Sequence, residues 1–239
     1  MTDYKISICS DCSLEVGFTD ENKYKANRMA RELAKVLEEG NYPWLENVKV
    51  MMTSVVVIYD PCLMIYRKVY SFLGKTAKKI CKNSDRPESA KKESVHCIPV
   101  CYGLDTDCVC KVLDMEREEF VKAHSGRDYL ACTVLEKGIV RLKHTCFKEQ
   151  IRVEKKEIQR GWVVFDGKYT YITTENAVSD LPVIGKTFID PFDSKTGDPF
   201  CKVGDFVRFV SVGENKFKKL SDKGEYEITI RKVSEGEEK

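Results

Sequence analysis

The chain has 239 residues, enough for one large domain or two small ones. Apolar residues make up 42% and charged residues 33%, a composition that excludes a disordered or fibrous chain. The 40 Lys and Arg against 38 Asp and Glu leave a net charge of +2, which disfavours a dedicated nucleic-acid-binding protein.

Neither a membrane segment nor an export signal is indicated. No apolar run approaches the roughly 20 residues of a membrane span. The first residues, MTDYKISICSDCS, are polar where a signal peptide would be apolar. We therefore expect a cytoplasmic protein, with reduced thiols at its 11 cysteines.

The N-terminal residues predict two short strands and a helix. Residues 4–18 alternate between apolar and polar around Ser10-Asp11, as two strands would. Apolar residues then recur at helical spacing, and we predict a helix that Thr19-Asp20 caps and Gly40 ends. The apolar stripe of this helix consists of Ala26, Met29, Ala30, Leu33, Val36 and Leu37.

A strand and a second helix follow. The β-branched run at residues 55–58 predicts one strand over 48–59, buried on both faces or nearly so, which Asp60-Pro61 ends. The second helical stripe consists of Ile65, Val69, Phe72, Leu73, Thr76 and Ile80. Residues 1–81 are therefore predicted to be a ββαβα unit, an α+β domain with its helices on one side.

The rest of the chain is predicted to be mostly β. Residues 82–94 contain no large apolar residue, which predicts a linker or, alternatively, an exposed loop. One helix is predicted at 116–123 with Asp114 as its cap, Asp166-Gly167 predicts a type I′ hairpin, and residues 234–239 are predicted to fray. A single helix among short strands predicts a barrel or a sandwich over 95–233. The candidate strands lie at 96–102, 129–135, 162–165, 169–173, 183–189, 206–212 and 226–233.

Several catalytic and metal-binding motifs are incomplete. Gly74-Lys75-Thr76 and Gly185-Lys186-Thr187 resemble the end of a phosphate-binding loop but lack its earlier glycine, so we interpret them as helix and strand residues. Cys9-x-x-Cys12 and Cys97-x-x-x-Cys101 lack the Gly-rich knuckles of a zinc site. We therefore predict no metal site and no nucleotide-binding loop in this chain.

The turn at His124-Ser125-Gly126 has two interpretations. Gly126 could end the predicted helix, with His124 interacting with the carbonyl end of the helix dipole. Alternatively, the turn could line a pocket, because His124 and Ser125 are followed closely by Arg127 and Tyr129, which concentrates titratable and donor groups.

The order of these segments resembles one family over nearly the whole chain. It is similar to the B subunit of prokaryotic 5-oxoprolinase, a family also called allophanate hydrolase subunit 1 or KipI-type kinase inhibitor. The matching pieces are residues 54–61, 98–103, 124–129, 183–187, 192–193 and 204–209, together with the tail around Phe217, Leu220 and 224–228.

The resemblance implies both a fold and an assembly. It implies an α+β N-terminal domain followed by a mostly-β, cyclophilin-like barrel domain. It also implies a homologous C-type carboxyltransferase subunit as partner, and an A-type subunit that completes ATP-dependent hydrolysis of 5-oxoproline to glutamate. On this basis ATP is used by the assembled complex, and this chain itself binds no cofactor.

The resemblance also nominates site residues and an alternative function. The match at 124–129 implies His124 as a proton carrier, with Ser125 and Tyr129 as hydrogen-bonding groups. Arg127 is added as a candidate for binding a substrate carboxylate, on the general chemistry of such recognition. Residues 135–142 replace a Gly- and Pro-rich stretch of the family, which favours the alternative of a non-catalytic regulator that binds a histidine kinase.

Overall fold

The chain forms two compact units of α+β structure. The computed structural model describes residues 3–84, 92–133, 140–143, 150–193 and 195–232. The N-terminal unit holds the described residues 3–84, and the C-terminal unit runs from Lys92 to Lys232.

The N-terminal unit is a four-stranded antiparallel sheet with two helices. Its elements are β1 (Asp3–Ser10), β2 (Ser13–Thr19), α1 (Lys23–Glu39), β3 (Leu45–Val50), β4 (Ser54–Tyr59) and α2 (Tyr66–Asn83). The strand order is β1-β2-β4-β3. Alternate residues of β2 and β4, among them Val16 and Val57, form one buried face, and both helices pack on it in a single core.

Two N-terminal predictions are corrected. Residues 48–59 were predicted to be one strand, but a turn at 51–53 folds them into the antiparallel pair β3 and β4, so the unit is ββαββα. This turn contains neither Gly nor Pro, so its sequence gives no turn signal. The cap of α1 is Asn22, whose side chain accepts hydrogen bonds from the backbone N–H groups of Tyr24 and Lys25, and not Thr19-Asp20.

Other N-terminal predictions are confirmed. Gly40 is the C-terminal cap of α1, and β4 ends at Tyr59, directly before Asp60-Pro61. Val69, Leu73 and Ile80 of the predicted stripe are buried in α2, together with Ala77. Ile65, the first residue of that stripe, precedes the helix and is 58% exposed. That helix continues to Asn83, so it includes the first two residues of the predicted linker. Residues 85–91 of the linker and the predicted tail at 234–239 lie outside the described residues.

The C-terminal unit is built on a sheet that closes on itself. Its helices are α3 (Thr106–Leu113), α4 (Arg117–Ser125) and α5 (Glu214–Lys223). Its strands are β5 (Lys92–Tyr102), β6 (Asp128–Thr133), β7 (Val140–Lys143), β8 (Lys156–Ile158), β9 (Trp162–Phe165), β10 (Tyr169–Ile172), β11 (Ala177–Ser179), β12 (Val183–Lys186), β13 (Phe206–Ser211) and β14 (Glu227–Lys232). The order β12-β9-β10-β7-β6-β13-β5 becomes a ring because β12 also pairs with β5, and β14 extends the sheet from β5.

The ring closes at Gly185, where only a glycine fits. Gly185 pairs with Tyr102 across the β12–β5 junction. A Cβ atom placed on Gly185 would lie 2.7 Å from the carbonyl oxygen of Cys101 and 2.8 Å from Cγ1 of Val100. The strand interpretation of Gly185-Lys186-Thr187 is thus confirmed for its first two residues, and Gly74-Lys75-Thr76 lies within α2.

The predicted hairpin is present, but its turn differs. Strands β9 and β10 pair on either side of Gly167-Lys168. Gly167 has φ 95° and is the first central residue of the turn, whereas Lys168 has no positive φ, so the type I′ prediction is wrong. The carboxylate of Asp166 accepts hydrogen bonds from the backbone N–H groups of Lys168 and Tyr169. Asp166 is therefore the residue before the two central residues of the turn.

The helices of this unit depart most from prediction. One helix was predicted, and α4 confirms it, but the described residues also contain α3 and α5. Asp114 has φ 50° and ends α3, so it is not the cap of α4. Glu116 caps α4 instead, through a reciprocal capping box with Glu119.

Candidate functional site

The candidate site lies at the end of α4, where the helix enters the core of the C-terminal unit. Phe120 and His124 are the buried residues of α4, one helical turn apart on the same face. The side chain of His124 is completely buried. Its ring stacks on Phe209 with 4.8 Å between ring centroids, and the ring of Phe165 meets it edge-on at 5.9 Å.

Both nitrogens of the His124 ring are engaged in hydrogen bonds. Nδ1 lies 2.6 Å from the hydroxyl oxygen of Tyr102, and Nε2 lies 3.0 Å from the hydroxyl oxygen of Thr170. Burial lowers the pKa of His124 to about 3, and burial, followed by the nearby Tyr129, raises the pKa of Tyr102. Tyr102, His124 and Thr170 therefore form an uncharged chain of hydrogen bonds at physiological pH. This chain links β5, α4 and β10.

Ser125 and Tyr129 are close to His124, but their hydroxyl groups bond to the backbone of α4. The Ser125 hydroxyl donates to the carbonyl oxygen of Val121 at 2.7 Å, and the Tyr129 hydroxyl donates to that of His124 at 2.7 Å. The bond from Tyr129 satisfies one of the last four carbonyl groups of the helix, which lack intrahelical N–H partners. Gly126 is the C-terminal cap of α4, as one interpretation of the sequence predicted.

Arg127 is exposed. The next residue, Asp128, forms an ion pair with Arg208. Asp128 accepts two hydrogen bonds from Arg208, at 2.7 Å from Nε and 3.0 Å from a terminal nitrogen. The hydrogen bond to Asp128 raises the pKa of Arg208. The structure thus brings His124, Ser125 and Tyr129 together and leaves Arg127 on the surface. Their binding and catalytic roles stay predictions.

Sequence reasoning missed the two residues that bond the His124 ring. Tyr102 and Thr170 both lie in predicted strands, and no role was assigned to either. Thr170 is fully buried in the hairpin strand β10, and a buried hydroxyl requires a hydrogen-bond partner. The alternation of β10 could have placed Thr170 inside, but the sequence contains no signal for its partner 46 residues away.

A second titratable cluster lies at the start of β5. His96 is buried, with Nδ1 3.1 Å from the hydroxyl oxygen of Tyr226 and Nε2 3.5 Å from a carboxylate oxygen of Asp205. Burial opposes ionisation of Asp205, but hydrogen bonds from His96 and from the backbone of Lys202 lower its pKa overall. The cluster ties β5 to the segments that precede β13 and β14.

Within the described residues no three His, Cys, Asp or Glu side chains are grouped as metal ligands. Ten of the 11 cysteines lie in those parts of the chain, and all ten are free thiols. Cys97 and Cys101 are both on strand β5, which was predicted at 96–102. No helix in the described ranges has the length and apolar character needed to cross a membrane.

Comparison with known proteins identifies a family. Residues 4–202 match the family model described as the carboxyltransferase domain, subdomain C and D. No curated protein matches the sequence significantly.

Several solved structures share the fold of the chain. The protein TTHA0988 superposes with a TM-score of 0.68 at 18% identity, over 89% of this chain and 40% of that protein. The Kluyveromyces lactis urea carboxylase has a TM-score of 0.73 at 13% identity, over 96% of this chain and 24% of its own length. The K. lactis urea amidolyase has a TM-score of 0.73 at 13% identity, over 95% of this chain and 16% of its own length. At these identities the likeness is one of fold, and this chain spans less than half of each relative.

Proposed function

The chain belongs to the family of carboxyltransferase domains, subdomain C and D, and from that premise we propose that it is a B-type subunit of a 5-oxoprolinase-like or carboxyltransferase-like complex. The observation that supports a subunit over a stand-alone enzyme is the burial of His124. A histidine with a pKa of about 3 is uncharged and only weakly basic at pH 7, and both of its ring nitrogens are already engaged in hydrogen bonds. Such a ring is a poor general acid or base by itself.

The proposed substrate is a compound with an amide-type carbonyl, such as 5-oxoproline or a urea-derived carboxylated compound. The structural relatives include enzymes named for urea, which supports the second class. With 5-oxoproline as substrate, water adds across the C–N bond of the ring and yields glutamate, and the complex consumes ATP. Binding by a partner would have to expose His124 before it could carry a proton in either reaction.

The proposal extends to the fold and the setting of the chain. The closed ring of strands in the C-terminal unit supports the cyclophilin-like barrel that the resemblance implies for 95–233. The partner is a homologous C-type subunit, together with an A-type subunit, in the cytoplasm. Ser125 and Tyr129 would supply hydrogen bonds and Arg127 a cation for a substrate carboxylate, once the partner completes the site.

Reconstitution tests this function. The chain would be co-expressed with a C-type and an A-type subunit, and 5-oxoproline-dependent ATP hydrolysis would be measured with and without it. We expect activity only in the complete assembly, reduced at least about 100-fold by His124→Ala if that residue carries a proton. Unchanged activity in the variant complex would refute the catalytic role of His124, and failure to form any complex would refute the subunit function.

A regulatory function is the second candidate, and the packing around His124 favours it. Aromatic rings fill the space beside His124, so the interior of the unit is packed rather than hollow there. A packed interior suits a protein that binds with its outer surface, for example to a histidine kinase. Under this candidate, the tagged chain would recover a kinase and slow its autophosphorylation, and His124→Ala would affect only the stability of the fold.

A further inference from the structure

Strand β14 is an edge of the C-terminal sheet with exposed apolar side chains. It pairs with β5, and among the described strands none occupies its other side. Ile228 and Ile230 are 55% and 64% exposed, and strand alternation puts both on the same face. An exposed edge strand of this kind is a template for pairing with another strand.

We propose that β14 pairs in antiparallel fashion with β14 of a second copy of this chain. The strand sequence is complementary to itself when Thr229 lies opposite Thr229 of the second copy. Glu227 then stands opposite Arg231, and Ile228 stands opposite Ile230, twice each by symmetry. Opposite charges and β-branched residues at facing positions both stabilise antiparallel pairs. This interaction is independent of the function proposed above.

The same pattern selects one register. A shift of one residue would put the isoleucines of the two strands on opposite faces of the joined sheet. A shift of two residues in either direction would remove both Glu227–Arg231 pairs. The pairing is symmetric about a two-fold axis, so it closes at two copies and does not propagate into fibres.

The size of the contact sets its strength. One pair of six-residue strands buries much less than the roughly 1,600 Å² of a standard stable interface. The dimer is therefore weak, and its population rises with concentration. In it, a continuous sheet runs from β5 and β14 of one copy into β14 and β5 of the other.

Charge exchange tests the register. Sedimentation equilibrium of the full chain would give the dimer dissociation constant for the unmodified protein, Glu227→Arg, Arg231→Glu and the double exchange. Each single change places like charges opposite each other twice, and we expect roughly 10-fold weaker dimers. The double exchange recreates opposite charges and restores dimerisation. Ile230→Lys should also weaken the dimer, whereas Val178→Lys, at a similarly exposed valine on β11, should not.

Two results would overturn the proposal. One is a chain that stays monomeric up to ~1 mM, a concentration at which weak complexes still form. The other is a dimer whose dissociation constant the single charge changes leave unaltered. The hydrogen bond to Asp128 and, as a smaller cause, the charge of Glu227 raise the pKa of Arg208, so a change at Glu227 also alters fold stability. Amide hydrogen exchange of the unmodified chain then decides: β14 amides must gain protection as concentration rises.

Discussion

The Nδ1 atom of His124 lies 2.6 Å from the hydroxyl oxygen of Tyr102, so a buried hydrogen bond joins the end of α4 to the end of β5. Because Tyr102 also pairs with Gly185, the same residue stands at the closure of the strand ring. The histidine is thus part of the framework that holds the ring together. Any catalytic use of it would compete with this structural role.

Removal of the other partner of the His124 ring should be costly. Thr170→Val keeps the volume of the side chain but leaves Nε2 of His124 without its hydrogen bond. We expect a loss of about 1–3 kcal/mol in the free energy of unfolding, the penalty for a buried polar group that loses its partner. Urea denaturation measures it. Thr174→Val, at a partly exposed position, should change stability by less than about 0.5 kcal/mol, and an equal loss in both variants would contradict the argument.

The free energy of unfolding should decrease as the pH is lowered below 6.5, because of the titration of His124. Its pKa is lowered from 6.5 to about 3 in the folded chain, so below pH 6.5 the unfolded chain binds a proton that the folded chain does not. This favours unfolding by roughly 1.4 kcal/mol for each pH unit between about 6 and 3. His124→Gln lacks this titration, so its stability deficit at pH 7 should shrink as the pH falls to 4. A deficit that is constant with pH would disprove the assignment.

The ion pair of Arg208 and Asp128 should contribute more to the stability of the fold than a more exposed pair of the same geometry. The side chain of Asp128 is 13% exposed, against 40% for Asp190, which binds Arg160 with a similar fork. Lysine keeps the charge but loses the second hydrogen bond. We expect Arg208→Lys to cost about 1 kcal/mol and Arg160→Lys less than about 0.5 kcal/mol, since solvent screens the exposed pair. Thermal unfolding of both variants compares them directly.

Ring closure should fail when Gly185 acquires a side chain. Gly185→Ala would press its Cβ against a backbone carbonyl that cannot move without breaking the β12–β5 pairing. Overpacking of this kind costs about 1–3 kcal/mol, and amides near the junction should lose exchange protection. Gly103→Ala is the matched control, because a Cβ there meets nothing within 4 Å. Equal effects of the two substitutions would show that the close approach is not limiting.

Sequence patterns found the elements with strong periodicity and missed those that are short or lack turn residues. Helix α2 and strand β4 follow from apolar spacing, and the β9–β10 hairpin follows from its Asp-Gly pair. Strands β8 and β11 have only three residues each, too few for a pattern to emerge. The break between β3 and β4 was missed because no turn residue marks it.

The candidate site shows the same division. The local sequence was enough to place His124, Ser125 and Gly126 at a helix end, and the family resemblance pointed to the same turn. The local sequence could not show that the His124 ring is buried and neutral. Nor could it show that the ring is hydrogen-bonded to Tyr102 and Thr170, which lie 22 and 46 residues away. Spacing along the chain reports which face of an element is apolar. The partner of a buried polar group depends on sheet register and ring closure, and these exist only once distant strands have paired.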